Sequence, residues 1–321
     1  MAVYTEVAPD MLAPVLARFF PEGRLSGLTP ISAGIENTNY FLDVELGGET
    51  RRLVLTLFET LPPKTLPFFA RLTTRLAHAG LPVPAPLTDV DGNWVFRVAA
   101  KPALLLPCMP GRHVTTPDDA QRRALGAFMA AMHGLTAGLP GDPHPRDLRW
   151  MREVLAVLPE AARGEVSEAV ERWAGEAEDV ATLPEGIVHG DLFVDNALFE
   201  GDRLTGVIDF YHAARAPLLF DVAVALNDWC FGKDDYDDAA CRALLSGYRP
   251  FTDADIDLFP AVLRLAALRF WLSRLRSLHS LGYQHEAKAG DTLKDPEQMA
   301  QRYRAACRLG VSRVRDWLAG S

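Results

Sequence analysis

The 321-residue sequence predicts an α+β chain of two lobes: a small N-terminal lobe on an antiparallel sheet (residues 1–107) and a larger, mainly helical C-terminal lobe (residues 108–321). Three observations predict it. Between residues 28 and 57 apolar side chains recur at strand spacing, and the runs are joined by polar or glycine turns, as in antiparallel hairpins. From residue 116 onward, outside one apolar hairpin near residue 200, the recurrence is at three and four, the period of helices sharing a core. A Pro- and Gly-rich crossing, Pro107-Cys108-Met109-Pro110-Gly111, separates the two regimes.

In chain order, residues 9–20 carry the pattern of a short amphipathic helix closed by Pro21-Glu22-Gly23. Leu28–Ser32 and Asn39–Leu46 follow as strands joined by the loop Ala33–Thr38, and Gly47-Gly48 turns the second into a third, Arg51–Leu57. Lys64–Ala79 reads as a helix and holds no Asp or Glu. An extended run, Leu81-Pro82-Val83-Pro84-Ala85-Pro86, precedes the strand-like Trp94–Val98, and an apolar strand, Ala103–Leu106, enters the crossing.

Thr116-Pro117-Asp118-Asp119 opens the next helix, with Thr116 as N-cap and Pro117 at the first helical position. Leu125, Phe128, Met129 and Met132 form its core stripe, which ends near His133. A loop over 138–145 leads to two charged helices, about 147–158 and 163–180, read as a solvated arm. Asp221 stands as the N-cap of a helix running through Val222, Leu226 and Trp229, bracing the loop before it. Asn227-Asp228 puts polar groups inside that apolar helix, and the segment 258–281 does the same with Arg264, Arg269, Arg274 and Arg276. Such groups, once buried, satisfy one another or face a ligand. Residues 291–318 read as one charged amphipathic helix.

The chemistry concentrates in Ile187-Val188-His189-Gly190-Asp191-Leu192-Phe193-Val194-Asp195-Asn196 and in Asp209, thirteen residues after Asn196. Leu198-Phe199 and the run 204–208 flank Glu200-Gly201-Asp202-Arg203, a hairpin whose strand ends bring Asn196 and Asp209 side by side. An Asp, an Asn five residues on, and a second Asp closing an apolar strand are the groups that transfer a phosphoryl group from magnesium ATP. Asp191 accepts the proton of the attacking hydroxyl, and Asn196 and Asp209 supply oxygens to Mg²⁺. For ATP itself, the first hairpin nominates Gly34, Asn37, Thr38 and Asn39 as phosphate contacts, although a plain polar loop accounts for them equally well. The entry to the crossing nominates Leu106 and Cys108 for backbone contact with adenine. Thr56 occupies the third-strand position where protein kinases hold a phosphate-binding Lys, and the helix Glu that pairs with that Lys is absent too. A substitute cation is expected from Arg71 or Arg75 on the helix, or Arg52 on the strand.

Composition narrows the class. With 49% hydrophobic and 23% charged residues the chain is an ordinary globular protein, and a net charge of −9 argues against nucleic acid as a partner. The four cysteines show no metal-ligand spacing, which suits a reducing compartment. The N-terminus lacks a signal-peptide pattern, and arginines interrupt the longest apolar segment, so a cytoplasmic protein without membrane contact is expected. A monomer and a homodimer stay equally open.

Taken together, His189-Gly190-Asp191 with Asn196, Ile208-Asp209-Phe210 and Asp221 resemble the signature of the aminoglycoside-phosphotransferase-like branch of the bilobal protein-kinase-like fold. Within it, Ile31–Tyr40, Leu55-Thr56-Leu57-Phe58-Glu59, Asn227-Asp228-Trp229-Cys230 and Arg269-Phe270-Trp271-Leu272-Ser273-Arg274-Leu275 are similar to the bacterial homoserine kinases of that fold, over nearly the whole chain. The family shares the Thr-bearing third strand, and the chain departs from it at Val194, where relatives tend to carry Arg. The resemblance implies transfer of the ATP γ-phosphoryl group to the side-chain hydroxyl of L-homoserine, in threonine biosynthesis. A zwitterionic acceptor needs a cation for its carboxylate, Arg269 or Arg274, and an anion for its ammonium, Asp195 or Asp228. Rival readings are a kinase of another small alcohol (aminoglycoside, choline, ethanolamine or sugar) and a nucleotide-binding pseudokinase without turnover.

Overall fold

The structure, a computed structural model, describes residues 5–32, 36–248, 250–279 and 294–319. The described residues fold as two compact units, those up to Pro110 with Gly206–Ile208, and the remainder.

The first unit is a five-stranded antiparallel sheet in the order β1-β2-β3-β5-β4: β1 (Arg24–Ile31), β2 (Asn37–Leu46), β3 (Glu49–Phe58), β4 (Phe96–Val98) and β5 (Lys101–Pro107). Strand alternation places Tyr40, Leu42, Val44, Leu53, Leu55, Leu57, Ala103 and Leu105 on one face. That face is covered by helix α1 (Pro9–Phe19) through the buried Leu12 and Leu16, the helix starting on a Pro with Asp10 in its first turn. Helix α2 (Leu66–His78) buries Leu66, Phe69, Leu72 and Leu76 and leaves Arg71 and Arg75 exposed. Two expectations are corrected here. The first strand starts at Arg24, because Arg24 and Leu25 already pair with Glu45 and Val44. Asn37 and Thr38 belong to β2 and not to the loop, since their backbones pair with Phe58 and Leu57.

The second unit is mostly helical: α3 (Asp119–Thr136), α4 (Leu148–Val157), α5 (Glu160–Val180), α6 (Leu219–Trp229), α7 (Asp238–Ser246), α8 (Asp253–His279), α9 (Pro296–Arg308) and α10 (Val311–Leu318). Its short strands are β6 (Glu185–Val188), paired antiparallel with β9 (Ala214–Pro217), and the hairpin β7 (Ala197–Glu200)–β8 (Arg203–Val207). The N-cap of α3 is Asp118 and not Thr116. Its carboxylate takes the Gln121 N–H while the Gln121 side chain takes the Asp118 N–H, a reciprocal cap that Thr116 is two residues too early to form. Helix α5 is no solvated arm: Val166, Ala169, Val170 and Trp173 line a buried stripe. The tail is two helices, α9 and α10, broken at Leu309-Gly310. Among the described residues no helix is long and apolar enough to cross a membrane.

Candidate active site

β6 delivers His189-Gly190-Asp191 from the interior of the second unit, Ile187 pairing with Arg215 and Val188 with Ala214. The chain then turns sharply. Gly190 takes φ +82°, and a Cβ there would stand 2.6 Å from the His212 carbonyl oxygen, so the bend requires glycine. The loop is strapped from behind by Asp221. This fully buried carboxylate accepts the His189 N–H at 2.7 Å and the Gly190 N–H at 2.8 Å, and meets His133 Nε2 at 3.0 Å; His133 Nδ1 in turn meets the Tyr248 hydroxyl at 2.6 Å. Burial alone would raise the Asp221 pKa, but the His133 hydrogen bond, the charges of His133 and His189 and the Gly190 N–H together hold it below the ordinary carboxylate value. The N-cap reading of Asp221 is therefore corrected. Leu218 caps α6, and Asp221, inside the first turn, spends its oxygens on the loop.

Asp191 follows, its own N–H donating to His189 Nδ1 at 3.2 Å. Burial pushes its carboxyl up to about 7; the Asp209 charge adds to this, while His212, Lys294 and Arg146 oppose it. A short 3₁₀ turn, Val194–Asn196, brings the Asn196 amide back so that Nδ2 donates to the Asp191 carbonyl at 2.7 Å and to Asp191 Oδ2 at 3.1 Å. With the NH₂ so committed, Oδ1 is turned away from Asp191 as an oxygen donor. Asp209 ends the β7–β8 hairpin in the left-handed conformation (φ 65°, ψ 54°) and starts another 3₁₀ turn, Phe210–His212, whose Phe210 ring packs 4.4 Å from His189. The structure thus bonds Asn196 to Asp191 and sets Asp209 within electrostatic reach of Asp191. Among the described residues no three His, Cys, Asp or Glu side chains converge as a metal cage. Mg²⁺ is a hard cation that draws one or two oxygens from protein and the rest from phosphate and water.

The other nominated residues divide. Gly34 lies outside the described residues. Thr38 is fully buried, donating to Glu59 Oε1 at 2.7 Å and accepting from Thr5 N, so its hydroxyl is a structural link. Asn37 is buried in β2. Asn39 Oδ1 accepts from the Thr56 hydroxyl at 2.8 Å, a neutral pair at the third-strand position where protein kinases hold the Lys. Arg52 is taken by a two-point bond to Asp43 at 2.7 and 2.9 Å. Leu106 pairs with Val54, and the Cys108 N–H donates to the Arg52 carbonyl, so both face inward along β3 and neither backbone is turned to the outer edge.

The four acceptor candidates are separated just as clearly. Asp195 is bound to Lys294 Nζ at 2.8 Å. Asp228 accepts the Val194 N–H at 2.9 Å and lies 3.9 Å from Arg302, and burial raises its pKa. Arg274 donates to the Asp295 carbonyl and to Gln298 Oε1, and burial with the Arg302 charge draws it down to about 10. Arg269 differs: it is 7% exposed, lies 4.5 Å above the Phe220 ring, and its Nε and Nη1 have no hydrogen-bond partner. Sequence reasoning missed His133, Tyr248, His144 and Arg146. A lone His on a helix stripe, and a His-Pro-Arg in a polar loop, carry no spacing signal of their own.

Residues 27–254 match the model of the phosphotransferase enzyme family. The chain belongs to the phosphotransferase enzyme family. Among curated members, it is 40% identical over 284 residues to a homoserine kinase of Pseudomonas aeruginosa, an alignment covering 86% of this chain and 88% of the relative. Solved structures with a similar fold include the amicoumacin kinase hAmiN in complex with AMP-PNP, Ca²⁺ and Ami (TM-score 0.70, 18% identity, 94% of each chain). Another is a microcompartment-associated aminopropanol kinase (TM-score 0.70, 17% identity, 95% of this chain and 98% of that one). The fold is accordingly the protein-kinase-like one of this phosphotransferase family, and the chain is a kinase.

Proposed function

We propose that this kinase transfers the γ-phosphoryl group of ATP to the side-chain hydroxyl of L-homoserine, yielding O-phospho-L-homoserine for threonine biosynthesis. The observation that carries the chemistry is the convergence of Asp191, Asn196 and Asp209 on one loop and one hairpin end. The acceptor follows from the homoserine kinase relatives, aligned over most of both chains. Asp191 takes the hydroxyl proton as the oxygen attacks. Its raised affinity for a proton makes it a stronger base than a surface carboxylate while leaving about half of it ionised near pH 7. Asn196 Oδ1 and Asp209 would hold Mg²⁺, which when bound supplies positive charge to the phosphates. His212, Lys294 and Arg146 place further positive charge around Asp191, where Val194 supplies none. Adenine is assigned to the outer edge of β5 just past Leu105, whose carbonyl is already taken by Leu87 N; Pro107 C=O and Met109 N–H come next on that edge.

The test is ADP release with Mg-ATP and a panel of L-homoserine, ethanolamine, choline, aminopropanol and an aminoglycoside. L-homoserine is expected to give the highest kcat/KM. Asp191→Ala should lower kcat by about 10²-fold or more while ATP still binds, because the base acts on the transition state. Turnover of another acceptor with homoserine inert would refute the substrate. ATP binding without turnover of any acceptor would point to the pseudokinase.

A further inference from the structure

Resting on the reading of Asp191 as the base of an alcohol phosphotransferase, we propose that Arg269, with Arg146 beside it, binds the carboxylate of the acceptor. This cationic pocket would make the enzyme select carboxylate-bearing amino alcohols over neutral or cationic ones. Arg269 projects from α8 between Leu268 and Phe270, and two of its guanidinium nitrogens are buried with nothing to donate to. Buried charged donors are costly to leave unpaired, so an orphaned fork of N–H groups marks the place where a ligand brings the acceptors. Stacking on Phe220 at 4.5 Å holds the guanidinium in one plane, the arrangement that two-point recognition of a carboxylate needs.

The surroundings are positive. Burial draws the Arg269 pKa down to about 9, and the Arg146 charge pushes the same way. Arg146 is held 5.8 Å from the ring centres of both Trp150 and Phe270. On Arg269 the opposing carboxylate is Asp147, whose Oδ1 is also the cap of α4, accepting the Trp150 N–H at 2.8 Å. His144 adds no negative charge. It is buried against Phe220, and its Nδ1 accepts the Arg146 N–H at 3.1 Å, so the neutral ring carries its proton on Nε2. The pocket also adjoins the base, for Arg146 and His212 act electrostatically on both Asp191 and His144. In extended L-homoserine the hydroxyl oxygen lies about 5 Å from the carboxylate carbon, a short span between a base and an anion site. Arg274, the alternative cation, already donates to Asp295 and Gln298.

The experiment compares kcat/KM for L-homoserine and for L-homoserine amide, which keeps the hydroxyl and the amine and loses only the charge. Melting with each compound added is measured in parallel. The native enzyme should prefer the acid by about 30-fold or more, the range expected for a buried charge pair. Arg269→Met should bring the ratio near unity with the ATP KM unchanged, and should abolish the rise in Tm on adding L-homoserine. Arg269→Lys, which keeps the charge and loses the fork, should hold only part of the preference. A folded Arg269→Met with the native ratio would overturn the assignment, as would a native ratio in Arg269→Lys should the Met variant fail to fold. If the native enzyme phosphorylates neither compound, the reading of L-homoserine as acceptor fails separately, and the Arg269-dependent Tm response to L-homoserine still decides the pocket.

Discussion

Asp221 shows how one residue changes meaning between sequence and structure. In the sequence it is an acid near a helix start, and the cap is its commonest use; in the structure it is a buried strap on the backbone of the catalytic loop. What decides between the two is a contact with residues 189 and 190, 32 and 31 positions away, which local spacing does not encode. Asp191, Asn196 and Asp209 were legible because their short spacing reflects geometry made locally, by a turn and a hairpin. Between Arg269 and Arg274 the sequence offers no distinction, since the difference in their hydrogen bonding appears only when burial is known. The strap has a measurable consequence. In Asp221→Asn an amide donor replaces one oxygen and must face either an N–H or the His133 ring, so the variant should lose about 3 kcal/mol of stability. Because the folded pKa of Asp221 lies below its unfolded value near 4, its contribution is fully present above about pH 4 and is lost as pH falls through the folded pKa. Denaturant titrations from pH 7 to 3 should therefore show a steeper acid loss in the native protein than in the variant, and parallel curves would contradict the strap.

At the scale of elements, the hairpins, α1 and α6 follow from period and turn residues, while caps and helix contacts do not. Helix α3 meets α7 through a pair of glycines. A Cβ on Gly126 would run into the Leu244 carbonyl oxygen, and one on Gly247 into the Arg123 carbonyl oxygen, both far inside van der Waals contact with backbone. In the sequence Gly126 looks like a flaw inside a helix, and by propensity alone Gly126→Ala should stabilise by about 1 kcal/mol. The contact reverses the sign. Overpacking against backbone that cannot move aside costs about 1–3 kcal/mol, so Gly126→Ala and Gly247→Ala should each lower the urea midpoint. A raised midpoint in either would mean that the two helices do not approach so closely.

For the whole molecule, composition placed the chain among ordinary globular proteins, and the change of period after residue 107 was the sign of a second lobe. A site for adenine leaves little trace in the sequence, because backbone N–H and C=O groups can read a base whatever side chains they carry. The proposed metal site can be tested on the same scale without relying on turnover. A ligand that binds only the folded chain stabilises it by RT ln(1 + [L]/Kd), about 2.7 kcal/mol at a hundredfold excess over Kd. If Asn196 and Asp209 hold Mg²⁺ against the phosphates, ATP with Mg²⁺ should raise Tm more than ATP with chelator does, and only the difference should vanish in Asn196→Ala and Asp209→Asn. Loss of the whole response would instead mean that these side chains serve the fold or the nucleotide directly. An undiminished Mg²⁺ increment in both variants would put the ion elsewhere. The split is informative because the adenine end is assigned to β5 and the ion to Asn196 and the β7–β8 hairpin, so the two contributions rest on different residues.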